Sequence, residues 1–463
     1  MKNNFCKLLF LLLSVFLSSG MTAGTIIAAG NGDGLILLEG GTFTMGAPET
    51  ERQHQADEVR HQVTISPFYI DPYEVTQADY LAVTGENPSY FHGDRLPVDS
   101  VSWYDAINYC NLLSVQNGLT PVYSIDGSNV TWDRSANGFR LLTEAEWEYA
   151  VRAGSDAIFY EKNQIHSDDI NFHGSYPYLV EENYSRTIDS NVKTSRYRGT
   201  TIDVDSLAPN AFGLYNMLGN VSEWVWDYYG EYELNAADPA GPLTGTLRVN
   251  RGGSYIDFGK HLRMAYRSAT TPIDTDRNLG FRIARNAEPL DQIVETQPAF
   301  EIPMPEDPRI LIVYYSYSGN TRKAANILKD YLGADLEEIV MEDPYRGNIY
   351  DVSQADTMND IHPPILTKVN NIEDYDVILL GYPTWWATIP MPVMTFLDET
   401  DLSGKIICTF SSHGGTMFGD SISDLSKAEP NAYIAPAFEF NYGGGNDLRD
   451  RLINWLRENE VID

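Results

Sequence analysis

Between Asn286 and Pro308 the chain carries five prolines (Pro289, Pro298, Pro303, Pro305 and Pro308) and six acidic residues, with no Lys or Arg. Proline fixes φ and removes a backbone donor, and like charges repel, so residues 287–308 are expected to form an extended acidic linker. Such a divider keeps the 463 residues from sharing one core. Two domains are expected, 34–286 and 309–460, each burying its own apolar surface.

The two halves are patterned differently. The second alternates buried-strand runs (Arg309 to Tyr315, Val377 to Gly381, Ile406 to Phe410) with helical patterns. Ala324, Ile327, Leu328 and Tyr331 share one helical face, as do Leu448, Leu452, Trp455 and Leu456. Strands alternating with helices imply a doubly wound parallel sheet, with ligands bound beyond the carboxyl ends of its strands.

The loop after the first strand, Ser316-Tyr317-Ser318-Gly319-Asn320-Thr321, offers hydroxyls, a glycine and no Lys. A phosphate monoester held there relies on backbone N–H groups, hydroxyls and the positive end of the next helix. By itself the loop is equally a strand-to-helix turn capped by Thr. Two further loops follow strands on the same sheet edge: Gly381-Tyr382-Pro383-Thr384-Trp385-Trp386 and Ser411-Ser412-His413-Gly414-Gly415-Thr416. In this order and spacing, with Ile389-Pro390-Met391-Pro392 and Phe396-Leu397-Asp398, they resemble short-chain flavodoxins. The resemblance implies a five-stranded parallel sheet binding flavin mononucleotide (FMN). Ser316, Tyr317, Ser318, Gly319, Asn320 and Thr321 would hold the phosphate; Pro383, Thr384, Trp385, Trp386, Ser412, His413, Gly414 and Gly415 would flank the ring. Trp385 or Trp386 would stack on it, with core packing as the alternative, and His413 is equally read as a loop-stabilising residue.

The first half is rich in Gly, Tyr, Trp, Asn and Asp, with few long helical patterns. Gly40-Gly41-Thr42-Phe43-Thr44-Met45-Gly46, Arg140-Leu141-Leu142-Thr143-Glu144-Ala145-Glu146-Trp147, Gly219-Asn220-Val221-Ser222-Glu223-Trp224, Arg251-Gly252-Gly253-Ser254-Tyr255 and Gly280-Phe281-Arg282 resemble the formylglycine-generating enzyme (sulfatase-modifying factor) family. The resemblance implies an irregular α+β scaffold of the C-type-lectin-like kind. Thr143 and Glu146 suit a capping box, and Gly252-Gly253 suits close backbone approach. In founding members, two Cys just after the Gly-Gly-Ser segment hold Cu(I). Here Asp257 stands where one is expected, so copper-dependent formylglycine formation is not expected. The resemblance also implies a calcium site on Asn216, Glu223 and the carbonyls of Gly219 and Val221, with a hydrogen-bonded turn as the alternative. His61, His166, His173 and His261 have no spacing that places two on one helix face.

Lys2 and Lys7, the apolar run Leu8 to Leu17 and the small residues to Gly24 read as an export signal over 1–24. Membrane association is expected only if that signal stays as an anchor. Without Lys2 and Lys7, 30 basic residues stand against 65 acidic ones, a formal charge of −35. Such a surface opposes nucleic-acid binding and suits a basic protein partner. Cys6 lies in the signal, and Cys110 and Cys408 lie in separate domains, so no disulfide framework is expected. Three functions follow: an exported FMN electron-transfer protein with a protein redox partner or surface partner, a flavin-fed oxidoreductase acting through the first domain, or a calcium-stabilised surface scaffold.

Overall fold

The structure is a computed structural model and describes residues 34–462 except 128, 161, 179–193, 291–293, 298–302, 348 and 416. The expected signal and Thr416 therefore lie outside the described residues.

The first domain is built from short strands. Phe68–Ile70 lies between Ile36–Leu38 and Ile283–Asn286, so the domain's two ends close on one strand; Phe139–Leu141 completes that sheet. A second sheet runs Ser268–Thr270, Arg248–Arg251, Ser222–Tyr228, Leu279–Phe281. Trp103, Trp132, Trp147, Trp224 and Trp226 are fully buried around them. Long hydrogen-bonded ladders are scarce, and buried ion pairs tie the loops together instead. Arg251 reaches Glu144 and Glu148 at 3.0 and 2.6 Å, Arg267 reaches Glu144 at 2.7 Å, and Arg263 reaches Glu58 at 2.6 Å. Removing one member of such a pair strands a buried charge, at a cost of about 3–5 kcal/mol.

The expected capping box is present: Thr143 Oγ1 accepts from Glu146 N, and Glu146 accepts from Thr143 N, starting the helix Glu144–Arg152 that seats Trp147 in the core. Gly252 has φ +93°, and a Cβ there would lie 2.8 Å from the Met217 carbonyl.

The segment expected to be an extended linker is in part a strand. Val294–Gln297 pairs antiparallel with Asn129–Asp133, adding a third strand to the Tyr123–Asp126 hairpin. The prolines at 289 and 298 lie outside this strand, so its backbone donors are intact, and an open hairpin edge accepts it.

The second domain has one parallel sheet of five strands. Its first strand, Ile310–Tyr314, lies between the second, Asp335–Glu338, and the third, Val377–Pro383; Ile406–His413 and Tyr433–Asn441 follow outward. Helices Asn320–Leu332 and Leu448–Glu458 cover one face through Ala324, Leu328, Leu452 and Trp455. Met391–Glu399 and Ser421–Ala428 cover the other through Val393, Phe396, Ile422 and Leu425. Tyr331, expected on the buried face, is exposed near the helix end.

The domains share apolar contacts. Leu247 and Ala269 of the first pack into the second domain's core, and Met417 of the second packs with Tyr255 and Ile256 of the first.

Candidate functional site

The three loops singled out in the sequence emerge together at the carboxyl edge of the parallel sheet. Gly319, at φ +87°, turns the first loop into the helix Asn320–Leu332 and has no side chain to cap it. Ser316 takes one first-turn N–H, that of Arg322, which leaves those of Asn320 and Thr321 at the end where the helix dipole favours an anion. Ser316 Oγ accepts from Arg322 N at 3.2 Å, and the Thr321 and Ser412 hydroxyls lie 3.0 Å apart, tying the first loop to the third. Neighbouring cations are committed elsewhere: Arg322 pairs with Glu338, and Lys323 donates to the Gly443 carbonyl.

The second loop is locked by Thr384, whose hydroxyl lies 2.6 Å from that of Ser411, and by reciprocal backbone bonds between Trp385 and Thr388. Trp386, at φ +55°, turns outward and donates Nε1–H to Ser353 Oγ at 3.1 Å. Trp385 sits among Tyr315, Tyr317 and Tyr345, with ring centroids 5.6–6.2 Å away. In the third loop Gly415 N donates to His413 Nδ1 at 3.0 Å. In the neutral ring this puts the proton on Nε2, 3.1 Å from the Glu439 carboxylate. The imidazole thus both braces its loop and borders the cavity.

The loops enclose a cavity of about 560 Å³. Ten of the fourteen residues expected there line it: Tyr317, Ser318, Asn320, Pro383, Thr384, Trp385, Trp386, Ser412, His413 and Gly414. Ser316, Gly319, Thr321 and Gly415 shape the loops from behind. Ile349, Ser353 and Tyr442 also line it. The Tyr442-Gly443-Gly444-Gly445 turn after the fifth strand was a usable signal for Tyr442; Ser353 had none. His173, Tyr176 and Phe258 of the first domain complete the lining. An aromatic-walled cavity with hydroxyls and a helix N-terminus at one end suits FMN, whose phosphate would lie by Ser318 and Asn320 and whose ring would lie by the Trp pair.

Glu223, the one anionic ligand expected for calcium, is already engaged by protein groups. Glu223 receives Arg282 at 2.8 Å through Oε1 and Trp147 Nε1 at 2.9 Å through Oε2. Asn216 donates its amide to Glu74 and to the Val204 carbonyl, and Val221 N donates to Glu74. Burial, with repulsion from Glu223, pushes the Glu74 carboxyl up to about 8. Glu74 is therefore largely protonated near neutral pH, and Arg282 is the counter-charge of Glu223. No group of three or more His, Cys, Asp or Glu suited to a metal occurs among the described residues. The motif hid this because Arg282 lies far along the chain, between the strands Leu279–Phe281 and Ile283–Asn286.

Comparison with known proteins agrees with both halves. Residues 27–287 match the model of the sulfatase-modifying factor enzyme 1-like domain. The chain belongs to that family. Residues 309–459 match the flavodoxin family. The chaperone protein LppX of Paenibacillus barcinonensis is 32% identical over 301 residues, 60% of this chain and 98% of that protein. The formylglycine-generating enzyme of Mus musculus is 28% identical over 317 residues, 55% of this chain and 76% of that enzyme. Among solved structures, a flavoprotein in complex with FMN from Lactobacillus acidophilus NCFM is 24% identical with a TM-score of 0.28, covering 32% of this chain and 98% of that one.

In this family member the stretch after Gly252-Gly253 holds no thiol. Asp257 accepts from Ser254 N and Oγ, both at 2.7 Å, and its backbone carbonyl accepts from His173 N. Both described cysteines are buried and free; burial pushes the Cys408 thiol up to about 12 and Cys110 higher.

Proposed function

We propose that this chain is an FMN-binding redox protein that works outside the cytoplasm, with its first domain governing what reaches the flavin. The observation that carries the reading is the cavity at the carboxyl edge of the parallel sheet, lined by all three loops. When bound, FMN would supply reversible electron and hydride exchange. The chain's own residues do the rest: the loop from Ser316 to Thr321 holds the phosphate, the locked turn at Trp385 and Trp386 presents flat aromatic surface, and His413 fixes the third loop. Export rests on the N-terminal sequence alone; among the described residues no helix is long and apolar enough to cross a membrane.

The oxidoreductase reading gains from one further observation: Phe258, next to Asp257, lines the same cavity. The family's usual site for paired thiols thus borders the flavin site. Titrating the purified full chain with FMN tests the proposal. Stoichiometric binding with a yellow flavin spectrum is expected, and a protein that stays colourless with excess FMN refutes it.

A further inference from the structure

The first domain places three aromatic rings on the side of the cavity away from the sheet. Tyr176 and Phe258 have ring centroids 4.5 Å apart, Tyr176 and His173 are 4.9 Å apart, and His173 lies flat on Tyr197 at 3.9 Å and 3°. Trp385 and Trp386 line the same cavity from the second domain. A cavity with aromatic rings on both sides is shaped for a flat ring system, because both faces of a π system can then be covered.

This wall is not a chance approach of two bodies. The segment after the third loop packs against the first domain. Met417 packs with Tyr255 and Ile256 and receives Arg277 Nε at 3.1 Å, and Asp420 pairs with the fully buried His261 at 2.7 Å. Asp420 N also donates to the Ala387 carbonyl at 2.7 Å, fastening the Trp385–Trp386 turn to the same junction. Gly419 permits this, since a Cβ there would lie 2.3 Å from that carbonyl. Both ring-flanking loops are therefore held against the first domain.

Building on the FMN reading, we infer that the first domain supplies the outer wall of the flavin site through Tyr176, Phe258 and His173. The flavin ring is held between the two domains.

The test uses the full chain, titrated with FMN as the wild type, as Tyr176→Ala and as Tyr176→Phe. Tyr176→Ala is expected to weaken FMN binding roughly tenfold and to raise the fluorescence of the bound flavin, while Tyr176→Phe stays near wild type. Unchanged affinity and fluorescence in a folded Tyr176→Ala would overturn the inference while leaving FMN binding intact. If neither wild type nor variants bind FMN, the underlying reading fails with it.

Discussion

The buried pair between His261 and Asp420 makes the domain boundary sensitive to pH. His261 is 2% exposed, and its neighbours include Lys260, Asp257 and Tyr266 from its own domain and Asp420 and Asp424 from the other. Burial, the largest single effect, and Lys260 disfavour the imidazolium, but the Asp420 carboxylate with Asp257 outweighs them, and the pKa rises to about 9 from an ordinary 6.5. Asp420 moves the other way: burial raises its carboxyl, and His261 more than compensates, holding it below the usual value. A base whose folded pKa is raised stabilises fully below its unfolded pKa and loses that contribution as pH rises through the folded one. The window is therefore about pH 6.5 to 9, and the rise corresponds to about 3 kcal/mol. Asp420 adds stability that is present above its unfolded pKa and lost only in acid. Asp420→Asn is expected to lower the stability of the full chain by about 3–5 kcal/mol at pH 6.5. That deficit should shrink by about 3 kcal/mol by pH 10, where the wild type has lost the imidazolium too. Urea denaturation of both proteins at pH 6.5, 8 and 10, followed by tryptophan fluorescence, reads the difference directly and cancels other titrating groups. A deficit constant across that range would refute an imidazolium–carboxylate pair at this boundary.

Chelation of calcium should leave the melting temperature unchanged, whereas Glu223→Gln should cost about 3–5 kcal/mol by leaving Arg282 buried without its counter-charge, as seen in thermal melts. Gly319→Ala meets no neighbouring atom, so its effect should come from the left-handed backbone alone: about 1 kcal/mol of stability and a few-fold weaker FMN binding by titration. Thiol reagent should label neither Cys110 nor Cys408 in the native protein and both after denaturation, counted by absorbance.

How far the site could be read from sequence depended on whether its parts lie near each other along the chain. The loops at Ser316, Pro383 and Ser412 follow strands whose apolar runs are unmistakable, and the rule that ligands gather beyond strand carboxyl ends brought them together correctly. The second strand, Asp335–Glu338, is acidic and half-exposed at the sheet edge, so it left no apolar run to find. The calcium expectation overlooked protein partners for the opposite reason. Asn216 and Glu223 looked like free oxygen ligands because Glu74 and Arg282, which engage them, lie about 60 to 140 positions away.

By itself, the sequence determined the two-part architecture, the strand–loop–helix order of the flavin loops, the capping box at Thr143 and the absence of paired thiols after Gly253. Each depends on local backbone preference, apolar periodicity or residue identity, which are written into contiguous residues. Only the tertiary structure decided that the two domains meet at the flavin loops. It brought His173, Tyr176 and Phe258 to the cavity, paired His261 with Asp420, and turned Val294–Gln297 from linker into strand. Those outcomes are long-range choices among surfaces, settled by which faces exclude water and which charges find partners on docking, and no stretch of sequence encodes them alone.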